Sequence, residues 1–170
     1  MSEEIKNKIT ESGIITINLE KYLPSENVEV FDIKDYLFMG LILKEKEFRQ
    51  QLKDLDLEKY KNKIIAVTCS TDAIIPMWAY MLISSVLLPI SVSVMLGTIE
   101  EVKNKILIEN INKIDFHTYV DQRIVVKGCG ENPIPEEAYL LITNKLMPIA
   151  KSIMFGEPCS TVPIFKKSNK

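Results

Sequence analysis

Three cysteines, Cys69, Cys129 and Cys159, are the residues of this chain best suited to chemistry. A thiolate is at once a nucleophile, a redox group and a soft metal ligand. Each cysteine stands in a short polar segment: Cys69-Ser70-Thr71-Asp72, Cys129-Gly130-Glu131-Asn132 and Cys159-Ser160-Thr161. Asp72, Glu131 and Glu157 lie close by in sequence and are candidate oxygen ligands for a fourth coordination position. No Cys-x-x-Cys occurs. The single histidine, His117, precedes an apolar run and so falls at the opposite end of a strand from the cysteines. That weakens imidazole-bearing zinc sites and any Cys–His nucleophile pair. Neither a glycine-rich phosphate loop nor Gly-x-Ser-x-Gly is present.

The elements that position these thiols follow from an internal repeat. Residues 75–97 align with 134–156 at a constant offset of 59, with 12 identities in 23 positions. Pro76/Pro135, Ala79/Ala138, Tyr80/Tyr139, Pro89/Pro148 and Gly97/Gly156 are among them. A one-residue change in the preceding loop pairs Cys69 with Cys129. Each copy reads as an apolar strand, a loop led by cysteine, and a helix opened and closed near prolines. A second strand then ends at glycine. The fold class expected is α/β: a mostly parallel sheet with helices on both faces. It is built on a duplicated βαβ unit (about 61–97 and 121–156), with an α+β N-terminal extension over 1–60. One domain spans 1–170, with 61–113 as the first unit and its connecting helix, 114–160 as the second unit, and 161–170 as a tail. Tyr80 and Tyr139 occupy equivalent helix positions and read as core.

Right-handed crossovers give the strand order 2-1-3-4 in a single sheet. All three cysteines then fall on its carboxyl edge, where open α/β sheets bind ligands. Neighbouring strands lie about 4.8 Å apart, so three thiolates come within reach of one ion. Three thiolates with an oxygen suit zinc, or an iron–sulfur cluster with one open iron. Two other readings stay open: a thiol-redox or sulfur-transfer enzyme using Cys69 and Cys129, and a non-catalytic interaction protein with inert cysteines.

Composition narrows the setting. Lys and Arg number 21 against 23 Asp and Glu, a net charge of −2, which gives no general attraction to nucleic acid. The odd cysteine count and the lack of a leader pattern indicate a reducing cytoplasm. No charged residue occurs from Ala73 to Ile99, a run longer than the roughly 18 residues of a membrane helix. The second copy, however, carries Glu136, Glu137, Lys145 and Lys151 where the first carries Met77, Trp78, Val86 and Val92. The run is therefore a crossover helix and a strand, and no membrane span is expected. Its outer face must be covered, by the N-terminal third or by a second subunit: a homodimer through the apolar face around Trp78.

Further elements are legible locally. Ile14 to Leu19 and Val28 to Phe31 read as strands. Asp32 caps a helix carrying Leu37, Leu41, Phe48, Leu52 and Leu55, with Gly40 as its weak point. Thr98 and Glu101 form a capping box.

The strings 41–49 (LILKEKEFR), 68–76 (TCSTDAIIP) and 152–163 (SIMFGEPCSTVP) resemble an uncharacterised Bacteroidetes family, the domain-of-unknown-function family 2480. The resemblance covers nearly the whole chain and implies no activity. It implies genes set near iron–sulfur cluster assembly genes, which favours a cysteine site handling iron or sulfur.

Overall fold

The computed structural model describes residues 13–128, 130–157 and 159–168. The chain divides into two compact units. A central unit comprises Pro24–Lys103, and a terminal unit comprises Met1–Leu23 with Asn104–Lys170.

β1 (Ile14–Asn18) precedes the central unit, which holds β2 (Val28–Asp32), α1 (Glu45–Lys53), β3 (Ile64–Thr68), α2 (Met77–Leu87) and β4 (Ser93–Leu96). Its sheet is parallel throughout, in the order β2-β3-β4. The terminal unit holds β1 (Ile14–Asn18), β5 (Arg123–Lys127), α4 (Glu136–Leu146), β6 (Ser152–Glu157) and β7 (Ser160–Lys166). Here the order is β1-β5-β6-β7, parallel except for the antiparallel β6–β7 pair. Helix α3 (Ile99–Asn112) runs across the division, and its Leu107 and Ile111 enter the terminal core. The protein is thus a mixed α/β fold with mostly parallel sheets and four α-helices among the described residues.

Both units show one succession of elements: strand, 3-10 turn, α-helix, 3-10 turn, strand, α-helix, strand. Each 3-10 turn is opened by an Asn or Asp whose side chain accepts an N–H two residues on. The four are Asn18, Asp32, Asp56 and Asp115, at 3.0–3.1 Å. The inner stripe of α2 is Ala79, Ile83 and Leu87, and that of α4 is Ala138, Ile142 and Leu146; all six are fully buried. Steps of four residues keep such a stripe on one helix face. In the central unit it packs with Phe31, Ile33, Phe48, Ile65 and Val67. In the terminal unit it packs with Ile17, Leu19, Ile124, Val126 and Ile153.

Four expectations are corrected. The single sheet in the order 2-1-3-4 is replaced by two sheets, because β1 pairs with β5 while β2 pairs with β3. The long helix after Asp32 is a 3-10 turn over Ile33–Tyr36, and the α-helix begins only at Glu45. Between them Met39 and Gly40 take left-handed conformations (φ 52° and 72°), and the Phe38 N–H reaches the Ile42 carbonyl at 2.7 Å. That reversal is incompatible with a continuing helix. The tail read from 161 is the edge strand β7, which buries part of Phe165 against the terminal core.

The fourth correction concerns the cysteines. Ile64 pairs with Ser93 and Arg123 with Ser152, so the offset of 59 runs unbroken through both strands and loops. No one-residue change is needed. At that offset Cys69 stands against Gly128 in the sequence, and Cys129 lies outside the described residues. The capping box forms as expected: the Thr98 N–H donates to Glu101 Oε2 at 2.7 Å, and the Glu101 N–H to Thr98 Oγ1 at 3.3 Å. No helix among the described residues is long and apolar enough to cross a membrane.

Candidate functional site

The carboxyl edge of the central sheet carries Cys69. Its half-buried thiol follows the last residue of β3 and lies 3.5 Å from the Thr71 carbonyl oxygen. The loop is tied to the neighbouring strand by Asp32, whose Oδ1 accepts the Ser70 N–H and the Lys34 N–H, each at 3.0 Å. Burial pushes the Asp32 carboxyl up. The hydrogen bonds from the Ser70 hydroxyl and N–H and from the Lys34 N–H outweigh that, and hold it below the usual carboxylate range. Asp72 is exposed.

The carboxyl edge of the terminal sheet carries an exposed Cys159 in the turn between β6 and β7. Lys127 at the end of β5 bridges to Glu157 at the end of β6, 2.8 Å apart. Glu20 Oε1 accepts the Asn132 N–H at 2.9 Å and so anchors the loop after β5. Glu131 is exposed. Cys129 lies outside the described residues.

The cysteines therefore do not share the edge of one sheet. Cys69 follows a strand of the central sheet and Cys159 a strand of the terminal one, and among the described residues no three His, Cys, Asp or Glu side chains form a metal-holding group. Of the oxygen-ligand candidates, Asp72 belongs to the central unit and Glu131 and Glu157 to the terminal one. His117 is exposed in the 3-10 turn before β5, at the amino end of the sheet.

A second feature lies on α2. Trp78 and Val86 pack against the central unit's own core, and the Trp78 ring centroid lies 6.1 Å from that of Phe48 on α1. Phe48 of the N-terminal third thus covers Trp78. Met77 (73%), Met81 (74%) and Leu88 (53%) remain exposed. Beside them lies an open hollow of about 570 Å³ lined by Tyr80, Met81, Ser84, Ser85, Leu88 and Pro89. The spacing 77, 81, 88 keeps the three large side chains on one helix face. Sequence reading singled out Met77 but not Met81 or Leu88. The signal was the same uncharged run, divided into an inner stripe and an outer one. A smaller cavity of about 330 Å³ lies between α4 and the β6–β7 pair, lined by Tyr139, Thr143, Phe155 and Ile164 among others.

No curated protein and no solved structure matches the chain. A family profile described as "Protein of unknown function (DUF2480)" matches residues 3–167. The chain belongs to the DUF2480 family, and its description assigns it no activity.

Proposed function

We propose that this is a non-catalytic interaction protein that pairs with a second copy of itself through the outer face of α2. The observation that carries this reading is the exposure of Met77, Met81 and Leu88 along one side of a helix without charges. A monomer gains nothing by holding such a stripe in water, and contiguous exposed apolar surface marks interaction sites. A second copy is the favoured occupant because no charge from Ala73 to Ile99 opposes its approach. Ser84 and Ser85, between Met81 and Leu88, let two helices come close. Antiparallel packing about these serines sets Met81 of one copy opposite Leu88 of the other, the self-complementary pattern of a two-fold interface. We further infer that the two units descend from one duplicated module. Their shared succession of elements and the unbroken offset of 59 support this, and the second copy has exchanged Met77 for Glu136.

Sedimentation velocity over a range of concentrations tests the pairing. The expected species is a dimer of the 19.4 kDa chain. Met81→Glu should give a monomer with an unchanged melting temperature, since Met81 lies outside the core. A wild-type monomer at all concentrations overturns the reading.

A second reading rests on the exposed thiol of Cys159 at the carboxyl end of β6. Its neighbour β5 leads in two residues to Cys129. A metal held by this pair draws its remaining ligands from Glu131, Glu157 or a partner molecule. Anaerobic purification with zinc and iron analysis decides it: stoichiometric metal lost in Cys159→Ser supports the site, and a metal-free protein removes it.

A further inference from the structure

The cavity between α4 and the β6–β7 pair belongs wholly to the terminal unit. Its floor is Val126 and Ile153, both buried, on the neighbouring strands β5 and β6. Its walls are Tyr139 and Phe155, whose rings meet edge to face at 79° with centroids 5.7 Å apart. Ile164 of β7, half exposed, stands at the mouth. Ile153 pairs with Phe165 and Met154 with Pro163, so at this step β7 carries one residue, Ile164, more than β6. Such a bulge bends the strand and re-aims a side chain, and bulges are frequent beside active sites.

The volume, about 330 Å³, falls within the range of ligand pockets, roughly 300–1,000 Å³. It equals that of about eleven waters at roughly 30 Å³ each. Protein cores are packed to crystal density, with few voids larger than one water, so a space of this size is not a packing defect. No charged residue lines it, and its polar groups are the hydroxyls of Tyr139 and Thr143. These two positions recur. Tyr80 and Ser84 stand where Tyr139 and Thr143 stand in the second copy, and they line the hollow on α2. A tyrosine with a hydroxyl residue one turn on is thus set beside a hollow in each unit, and in the terminal unit Ile164 of β7 helps to enclose it.

We propose that this cavity binds a flat, uncharged aromatic molecule of one or two rings that bears a single hydroxyl or N–H group. The ring lies against one aromatic wall and presents its edge to the other, the arrangements that aromatic pairs favour. Its hydroxyl or N–H donates to Thr143 Oγ1. A hydroxyl oxygen carries two lone pairs, so Thr143 can accept this bond whatever its own proton does. The aliphatic floor of Val126 and Ile153 takes the apolar body of the ring. An ionised ligand would lose its hydration there with no counter-charge to replace it, which rules against carboxylates and phosphates as the buried group.

2-Naphthol titrated into the full chain, followed by methyl NMR, tests this. Saturable shifts are expected at Val126, Ile153 and Ile164, with Met81 of the α2 hollow unmoved. Thr143→Val keeps the shape of the side chain and removes its hydroxyl. It should weaken 2-naphthol roughly two- to tenfold and leave naphthalene unchanged. Ile164→Trp, at an exposed strand position, should fill the mouth and abolish binding of both probes. Should either variant fail to fold, three probes decide the matter on wild-type protein: 2-naphthol should bind more tightly than naphthalene, and 2-naphthoate should not bind. Absence of saturable shifts, shifts centred on Met81, or binding of naphthalene or 2-naphthoate as tight as that of 2-naphthol overturns the proposal. The site is independent of the α2 pairing: Met81→Glu should bind 2-naphthol as wild type does.

Discussion

The Tyr36 ring lies flat on Phe31 with centroids 4.8 Å apart, and the neighbouring Tyr60 opposes ionisation of the Tyr36 hydroxyl. The two tyrosines close the 3-10 turns Ile33–Tyr36 and Leu57–Tyr60, which flank α1. Tyr22 and Tyr119 hold the same relationship in the terminal unit. Burial pushes the Tyr36 hydroxyl up to about 12, with the neighbouring Tyr60 and Asp35 adding to it. Burial also raises Tyr60 and Tyr22.

Alkaline stability should follow these pairs. A tyrosine of the unfolded chain ionises near pH 10. The raised native values mean that the folded state holds its protons more tightly, so this contribution is complete below about pH 10 and is lost as pH rises toward about 12. Tyrosinate absorbance should show a late-ionising fraction, and denaturant midpoints should fall across the same interval. Tyr36→Phe removes one of these late-ionising hydroxyls and should soften that fall. Uniform ionisation of all six tyrosines near 10 would sink the inference.

The aromatic contacts around α1 bear on the fold and not on assembly. Phe48 is fully buried and touches both Tyr36 and Trp78. Phe48→Ala should cost about 3–5 kcal/mol in chemical unfolding. Trp78→Glu should also destabilise, while leaving the sedimentation of the remaining folded protein unchanged. A Trp78→Glu protein that is fully stable but monomeric would place Trp78 at the interface after all.

Asp32 should matter more to the Cys69 loop than to global stability. Its depressed carboxyl contributes stability above its ordinary pKa, near 3.8, and loses it as pH falls through the lower native value. Asp32→Ala removes the acceptor for two N–H groups, at about 1–2 kcal/mol. It should speed hydrogen exchange at Ser70. Asp32→Asn should be milder, since Asn18 already caps the corresponding turn of the terminal unit.

Two glycines should respond unequally to alanine. Gly40 has φ 72° and nothing within 4 Å of an added Cβ, so Gly40→Ala should cost only the left-handed penalty of about 1–2 kcal/mol. Gly156 has φ 118°, and an added Cβ would come within 2.6 Å of the Ser160 carbonyl oxygen. Gly156→Ala should therefore be the worse of the two, and should loosen β7. Equal melting temperatures for both variants would contradict the geometry of the β6–β7 turn.

Elements with a local cause were legible in the sequence. The Thr98–Glu101 box, the proline-bounded helices α2 and α4, and the apolar strands β3 and β5 stand where their residues put them. Partition into two sheets was not legible. Nothing near Ile14 distinguishes a partner at Arg123 from one at Val28, and parallel pairing leaves no turn signal between strands. β7 was hidden by Pro163 and by the terminal lysines, which read as a tail. Cys69 and Cys129 were matched because identical residues attract an alignment, whereas the strand register sets Cys69 against Gly128. For the candidate site, uncharged composition marked α2 correctly, but only packing against Phe48 separated Trp78 from the exposed methionines.

The central unit interrupts the terminal one between Leu23 and Asn104. During synthesis the whole central unit, residues 24–103, leaves the ribosome before any strand partner of β1 exists. At roughly 5–20 residues per second, β1 waits several seconds for β5, exposed beside a neighbour that can already close its own core. Such a delay favours strictly ordered folding, the middle of the chain first and its two ends together last. A nascent chain halted before Arg123 should accordingly resist proteolysis over the central unit alone.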